Sequence, residues 1–332
     1  MKKLLPYLLL FLLILVAGFW MGPRPPKPIL NDELPVLTTD LSLLENYVAQ
    51  KESVHHLKPD NQARFLWAND SLKEQSEYVL LYLHGFSASW YEGYPVNVDF
   101  VRHFGCNAYF ARLASHGIDT TEALIDMTPE RLWDSAKEAF VIAGTLGKKV
   151  IIMATSTGAN LALKLTAEFP GKIHGLILYS PNMQINNPAI FLMSKPWGLQ
   201  IGRMVTKGNY RIWDPGTNSQ ACSYWICKQR VESIVYLQQL VEATATREIF
   251  RKVSVPVFMG YYYKNDTLQD QTVRVDAALK MFDQLGTPPA LKRKQSFPEA
   301  GDHVICNEIF SKSLDEVRQA TFSFAEEVLG MK

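Results

Sequence analysis

Seven short runs that suit strands recur along the chain, most of them continuously apolar, and longer segments with a helical pattern separate them. Runs of this kind are typical of strands that are covered on both faces, as a parallel sheet with helices on each side requires. The alternation of strand and helix therefore predicts the α/β class, with right-handed crossovers between parallel strands. The strands are predicted at residues 64–68, 78–83, 108–112, 150–154, 175–179, 255–262 and 291–297.

Four helices are predicted between and after these strands, at residues 129–146, 159–169, 277–285 and 314–328. The first has the strongest signal, because Thr128 suits an N-cap, Pro129 a first turn, and Glu130 an acidic first turn. Residues 183–245 contain no convincing sheet strand but many aromatic and apolar side chains. This segment is predicted to be an inserted, mainly helical cap, whose apolar residues either pack it onto the body or line a substrate pocket.

The first twenty-one residues differ from the rest. Lys2 and Lys3 precede an apolar run over residues 4–20, which as a helix would reach about 25 Å. A cleaved secretory signal has the same layout, but bulky residues at 19–21 favour an uncleaved membrane anchor. We therefore expect an anchored protein with an extracytoplasmic catalytic domain, periplasmic if bacterial; the alternative is secretion after cleavage.

A proline-rich linker is predicted at residues 22–40, because its prolines cannot continue a helix and favour an extended spacer. The remaining residues, 41–332, are predicted to form the main domain, with the cap at about 183–245.

Composition excludes one class of partner and leaves the cysteines open. Lys and Arg number 34 against 33 Asp and Glu, so the net charge of +1 offers no attraction to nucleic acid. Cys222 and Cys227 are close enough to close a small disulfide loop, whereas Cys106 and Cys306 belong to segments not expected to meet; the alternative is four buried thiols. No metal-site spacing is present in the sequence, and no cofactor is expected.

One serine follows an apolar run directly. Ser156 stands between the strand at 150–154 and a helical stretch, with Ala154 two positions before it and Gly158 two positions after. A tight strand-to-helix turn would expose its hydroxyl at the edge of the sheet, and small neighbours are needed because backbones pass close by. The helix N-terminus would offer N–H groups to a developing oxyanion. Ser156 is thus predicted to be a nucleophile; the alternative is a simple N-cap.

A second run, at 78–83, leads into His84 and Gly85. With the Ser156 segment it resembles the α/β-hydrolase superfamily, in particular carboxylesterases and monoacylglycerol-lipase-like serine hydrolases. The resemblance covers about residues 63–332 and implies the α/β-hydrolase fold, a mostly parallel sheet with helices on both faces and an inserted cap. It also implies an oxyanion hole made by the backbone N–H groups of Phe86 and Thr157. His84 is expected to stabilise its turn rather than act as a base.

The base and the acid should follow later in the chain. His303, after the last predicted strand and before the final helix, resembles the family's histidine loop and is the predicted general base. Asp270, three residues before Val273 and a helix, matches the family's orienting acid; Asp266, nearer the preceding strand, is the alternative. The order Ser156, Asp270, His303 is the one this superfamily uses.

These residues predict a serine hydrolase that cleaves carboxylic esters, including lipid-like ones, through an acyl-enzyme. Two alternatives remain open at this point. An amidase or peptidase would use the same three residues on a harder leaving group. A non-catalytic binding protein could retain the fold without the chemistry.

Overall fold

The computed structural model describes residues 5–332, so Lys2 and Lys3 lie outside the described part of the chain. Its strands are β1 (Arg64–Leu66), β2 (Ser76–Leu83), β3 (Asn107–Phe110), β4 (Gly147–Thr155), β5 (Ile173–Tyr179), β6 (Tyr210–Ile212), β7 (Lys228–Arg230), β8 (Val257–Tyr261) and β9 (Lys292–Ser296). Seven of them form one sheet in the order β1-β3-β2-β4-β5-β8-β9, and β6 pairs with β7 separately. All seven predicted strands lie in the large sheet.

The large sheet is parallel except at one edge, where β1 runs antiparallel to β3. Its central strands are buried on both sides. In β2, Leu81 and Leu83 belong to one hydrophobic core, and Leu80 and Tyr82 belong to the other. Because successive side chains of a strand point to opposite faces, the two cores lie on opposite sides of the sheet.

Helices cover both faces, as predicted. The helices outside the cap are α1 (Leu5–Trp20), α2 (Leu41–Ser53), α3 (Val96–Phe104), α4 (Pro129–Leu146), α5 (Thr157–Glu168), α9 (Arg247–Lys252), α10 (Val275–Gln284) and α11 (Leu314–Glu327); α6 (Gly198–Val205), α7 (Ala221–Tyr224) and α8 (Glu232–Thr244) lie in the cap segment. Buried residues of α4, α5 and α10 belong to one core, and those of α3 and α11 to the other. The predicted N-cap is observed, since the Thr128 hydroxyl accepts from the Arg131 N–H.

The cap segment, between β5 and β8, contains α6, α7, α8 and the two-stranded ribbon of β6 and β7. The ribbon is not apparent from the sequence, because each of its strands has only three residues and β7 is entirely polar. Cys222 and Cys227 form the disulfide that their spacing allows, with Cα atoms 5.5 Å apart. Cys106 and Cys306 are buried free thiols.

The predicted membrane anchor is wrong. The apolar run forms α1, which has 16 residues in the described part of the chain and ends at Trp20. At about 1.5 Å per residue it reaches about 24 Å, less than the roughly 30 Å of a bilayer's hydrocarbon core. Within residues 5–332, every helix falls short of the length or the apolar character that a crossing requires. The transmembrane and signal-anchor assignments, and the membrane-anchored location deduced from them, are corrected accordingly.

Residues 22–37, here termed the N-terminal strap, form neither helix nor strand and lie against the folded body. The Asn31 carbonyl accepts from Trp133 Nε1 at 2.6 Å and from Lys137 Nζ at 2.7 Å, both on α4. On the cap side, the Pro23 carbonyl accepts from the Trp197 N–H at 2.8 Å. The proline-rich stretch therefore contacts both the body and the cap.

Candidate active site

Ser156 is the single residue between the end of β4 and the start of α5. Its φ of 52° and ψ of −115° lie in a region that non-glycine residues rarely adopt, and such strain persists only where surrounding contacts hold it. Here the Ser156 N–H donates to the Tyr179 carbonyl at 2.9 Å, and the Ser156 carbonyl accepts from the Asn182 N–H at 3.1 Å. The sequence thus produces the sharp strand-to-helix turn at the carboxyl edge of the sheet.

Two glycines allow this turn to pack closely. A Cβ on Gly158 would lie 2.1 Å from the Leu83 carbonyl oxygen, and a Cβ on Gly85 would lie 2.9 Å from the Ser156 Cβ. Neither position has room for a side chain. Ala154, which replaces the first glycine of the usual motif, is fully buried in the core, where its methyl group is accommodated.

His303 and Asp270 form a buried pair. His303 Nδ1 lies 2.6 Å from Asp270 Oδ2, and only 10% and 1% of the two side chains is exposed. The other carboxylate oxygen accepts from the Thr272 N–H at 2.8 Å and the Val273 N–H at 3.0 Å, which fixes its orientation. Because a carboxylate faces Nδ1, that nitrogen carries the proton, and Nε2 of a neutral ring is left as the acceptor.

Asp266, the alternative acid, lies away from this pair. It is exposed, and its Oδ1 accepts from the Tyr263 hydroxyl at 2.8 Å. Residues 263–269 fold into a loop of their own, in which the Lys264 N–H donates to the Leu268 carbonyl. This loop allows Asp270, rather than the aspartate nearer to β8, to reach His303.

The backbone N–H groups of Phe86 and Thr157, near Ser156, have no acceptor within residues 5–332. Thr157 is the first residue of α5, where N–H groups lack an intrahelical partner and the helix dipole is positive. Phe86 lines the same cavity as Ser156. The two residues named for the oxyanion hole therefore both offer a free donor.

Histidines 84 and 116 hold the loop that carries Phe86. His84 Nε2 accepts from the Leu113 N–H at 3.1 Å, so Nδ1 donates to the Gly85 carbonyl at 2.9 Å. His116 Nε2 accepts from the Ser87 N–H at 3.1 Å. Burial lowers the pKa of both rings, to about 4 for His116, so both are neutral, and the ring nitrogens of His84 are engaged in holding the turn.

Nearby carboxyl groups favour the charged form of His303. Burial alone would lower the pKa of His303, but the charges of Asp270, Asp302 and Glu92 and the Asp270 hydrogen bond outweigh it and raise the pKa. Burial also raises the pKa of Asp302, against the Val304 N–H bond that lowers it. His303 is therefore prepared to hold a proton while the carboxylate stabilises the resulting charge.

A cavity of about 610 Å³ opens above Ser156 and His303, and the cap forms its opposite wall. Much of the cap's contribution is apolar, which suits the organic part of a substrate. The apolar cap residues on this wall include Ile190, Leu192, Met193, Ile201, Val205 and Ile234.

Two charged residues of this cavity are not found by reasoning from the sequence. Glu92, in a short 3₁₀ helix among aromatic residues, is 2% exposed, and its carboxylate accepts from the Gly85 N–H. Arg211, in β6, reaches the cavity from the cap. The sequence offers one signal for Glu92, a single acidic residue within an aromatic segment. It offers no signal for Arg211, because the burial of Arg211 depends on formation of the ribbon.

Solved structures provide the comparison, since no protein-family model and no curated protein matches this sequence. A structure from work on the metagenome-derived lipolytic enzymes LipS and LipT has a TM-score of 0.63 at 15% identity, over 82% of this chain and 99% of that one. The monoacylglycerol lipase of Paleococcus ferrophilus has a TM-score of 0.57 at 13% identity, over 81% and 98%. The chain has the α/β-hydrolase fold.

Est1E from Butyrivibrio proteoclasticus, with ferulic acid bound, shares the α/β-hydrolase fold with a TM-score of 0.54 at 15% identity, over 81% of this chain and 95% of that one. Identities this low establish a common architecture and leave the chemistry to the site residues. In this fold the carboxyl ends of the parallel strands carry the functional loops, and here Ser156, Asp270 and His303 all follow such strand ends.

Proposed function

We propose that the protein is a serine hydrolase that cleaves carboxylic esters through an acyl-enzyme on Ser156. The observation that carries the proposal is the meeting, at one cavity, of a strained serine turn with a buried His303–Asp270 pair. The two free N–H groups of Phe86 and Thr157 add the donors that acyl transfer requires. The fold shared with lipases and an esterase supports the same chemistry by analogy.

In the acylation step, Ser156 Oγ attacks the ester carbonyl carbon while His303 Nε2 takes the hydroxyl proton. The carbonyl oxygen becomes an oxyanion, which the N–H groups of Phe86 and Thr157 stabilise; one such donor contributes about 2.7–4 kcal/mol in other hydrolases. The C–O bond to the alcohol then breaks, and His303 returns its proton to the leaving oxygen. Asp270 stays ionised and stabilises the imidazolium.

Deacylation repeats these steps with water. His303 removes a proton from a water molecule as its oxygen attacks the acyl carbon, and the second oxyanion occupies the same two donors. Collapse of the intermediate breaks the bond to Ser156 Oγ, which regains the proton from His303. The products are an alcohol and a carboxylic acid, and the protein returns to its starting state.

The full chain should hydrolyse 4-nitrophenyl butyrate, and Ser156→Ala should lower kcat/KM by more than about 10³-fold because the nucleophile is lost. Ser71→Ala, at an exposed serine far from the site in sequence, is the matched control and should retain activity. A fluorophosphonate probe should label the wild type at Ser156 only. Folded wild-type protein that neither turns over the ester nor takes the label would contradict the proposal and favour a binding protein.

A further inference from the structure

The cap contains three arginines, and two of them are neutralised. Arg203 and Arg230 each bond to a carboxylate oxygen of Glu232, at 2.6 and 2.7 Å, and Arg230 also pairs with Glu122. Arg211 forms no ion pair with any residue in the range 5–332. It is half-buried, and burial lowers the pKa of its guanidinium, which nevertheless remains charged.

Arg211 lines the cavity, and a neighbouring side chain holds its guanidinium in position. Arg211 and Trp213 both line the cavity, whereas Ile212 between them is 74% exposed, as the alternation of a strand requires. Across the ribbon, Arg211 is paired with the fully buried Gln229. The amide of Gln229 is oriented so that its nitrogen donates to the Ile226 carbonyl at 2.7 Å. The amide oxygen of Gln229 then accepts from Arg211 Nη1 at 2.9 Å. Gln229 orients the cation without neutralising it.

The two carboxyl groups that line the same cavity are bonded to backbone N–H groups near Ser156 and His303. Glu92 binds the Gly85 N–H beside Ser156, and Asp302 accepts from the Val304 N–H next to His303. Neither forms an ion pair with Arg211 in the described part of the chain. An entirely apolar substrate filling the cavity would strip water from an unpaired cation, which opposes binding. An anionic substrate would supply the missing partner.

We propose that Arg211 forms an anion-binding subsite of the cavity, and that the substrate is an ester that also carries a carboxylate or a phosphate group. The inference rests on the proposed ester hydrolysis and specifies its substrate class. The planar fork of the guanidinium suits both anions, because each offers two oxygens to adjacent N–H donors.

The test compares charged and neutral esters of matched size. One arm uses the mono-4-nitrophenyl esters of succinic, glutaric and adipic acid against their methyl-capped diesters, which places the anion on the acyl side. The other uses 1-butyrylglycerol 3-phosphate against 1-butyrylglycerol, which places it on the alcohol side. In at least one arm, the wild type should prefer the anionic ester by roughly 10- to 100-fold in kcat/KM, as hydrogen bonds to a charged group predict.

Arg211→Gln should abolish this preference, and Arg211→Lys should retain part of it because the charge remains. Lys207→Gln is the matched control: it removes a positive charge from an exposed cap residue outside the cavity lining and should keep the preference. Equal kcat/KM for charged and neutral esters in both arms, or a preference that survives Arg211→Gln, would overturn the subsite while leaving ester hydrolysis intact.

A binding measurement separates the two proposals if no ester is turned over. Calorimetry with monomethyl glutarate and with glycerol 3-phosphate would use Ser156→Ala protein, with and without Arg211→Gln. Binding that is lost with Arg211→Gln supports the subsite independently of catalysis. No binding of either anion to protein that retains Arg211 would overturn it.

Discussion

Replacing Glu92 with glutamine should change how the stability of the fold depends on pH. The Glu92 carboxyl is 2% exposed, and the titratable groups that interact with it include His303, Tyr82 and Cys306. Burial raises its pKa to about 7, although the Gly85 N–H bond and the charge of His303 lower it. Glutamine keeps an acceptor for the Gly85 N–H but has no proton to lose.

The direction of this change in stability follows from the number of protons that the folded and unfolded states bind. In the unfolded chain Glu92 loses its proton near pH 4.5, whereas in the folded protein it keeps the proton up to about pH 7. Between these values the folded state binds more protons, so the free energy of unfolding falls as pH rises. The two pKa values differ by about 2.5, and each pKa unit corresponds to about 1.4 kcal/mol, so the free energy of unfolding falls by about 3 kcal/mol. Above pH 7 the loss is complete, and below pH 4.5 it is absent.

The assay is urea unfolding of wild type and Glu92→Gln at several pH values from 4.5 to 8.5. The other groups titrate in both proteins, so the difference between the two should move by about 3 kcal/mol in favour of the variant as pH rises. Glu74→Gln, which removes an exposed carboxylate, is the control and should show no such trend. A difference between Glu92→Gln and wild type that stays constant from pH 5 to 8 would refute the reasoning.

Three further predictions concern the site and its turn. The wild-type pH–rate profile should rise with a midpoint above 6.5, because the pKa of His303 is raised and only the neutral ring accepts a proton; a midpoint below 6.5 would contradict the charge balance described above. Asp270→Asn should lower kcat by about 10⁴-fold, the precedent for this change in another triad, while Asp266→Asn should leave it near wild type; equal losses would show that the loop was misassigned. Gly158→Ala should strongly destabilise the protein, because the added Cβ would lie 2.1 Å from a β2 carbonyl oxygen. Gly144 in α4 has open space around it, so Gly144→Ala should stabilise the protein by about 0.5–1 kcal/mol. Thermal unfolding of both variants checks this pair, and a well-folded Gly158→Ala would count against the close approach.

Much of the framework could be predicted because it depends on local patterns. Short runs, most of them continuously apolar, identified all seven strands of the large sheet, and Thr128 with Pro129 identified the start of α4. The order of the strands was not predicted, since pairing across the sheet leaves no local signal. The extent of α1 agrees with the apolar run at 4–20; the error was to interpret a helix of about 24 Å as a membrane span, when a bilayer's hydrocarbon core is about 30 Å thick.

The candidate site could likewise be predicted only in part from the sequence. Ser156, Asp270 and His303 stand in motifs with recognisable neighbours, and the structure brings Asp270 to His303. Glu92 and Arg211 are ordinary charged residues in sequence, and their interest lies in burial and in the partners they have or lack. Those properties arise only when distant segments pack together.

The N-terminal strap has a consequence for how molecules reach the cavity. The strap bonds to Trp197 of the cap and to Trp133 and Lys137 of α4, so it connects the cap, which covers the cavity, to the body of the protein. Moving the cap away would take the Pro23 carbonyl from the Trp197 N–H and the Pro26 carbonyl from Gln239 Nε2. Gln239 is only 7% exposed, and a buried donor left unpaired costs about 1–3 kcal/mol. Entry and exit should therefore proceed through small side-chain movements at the rim. A protease cut within the strap should therefore free the cap to move relative to the body.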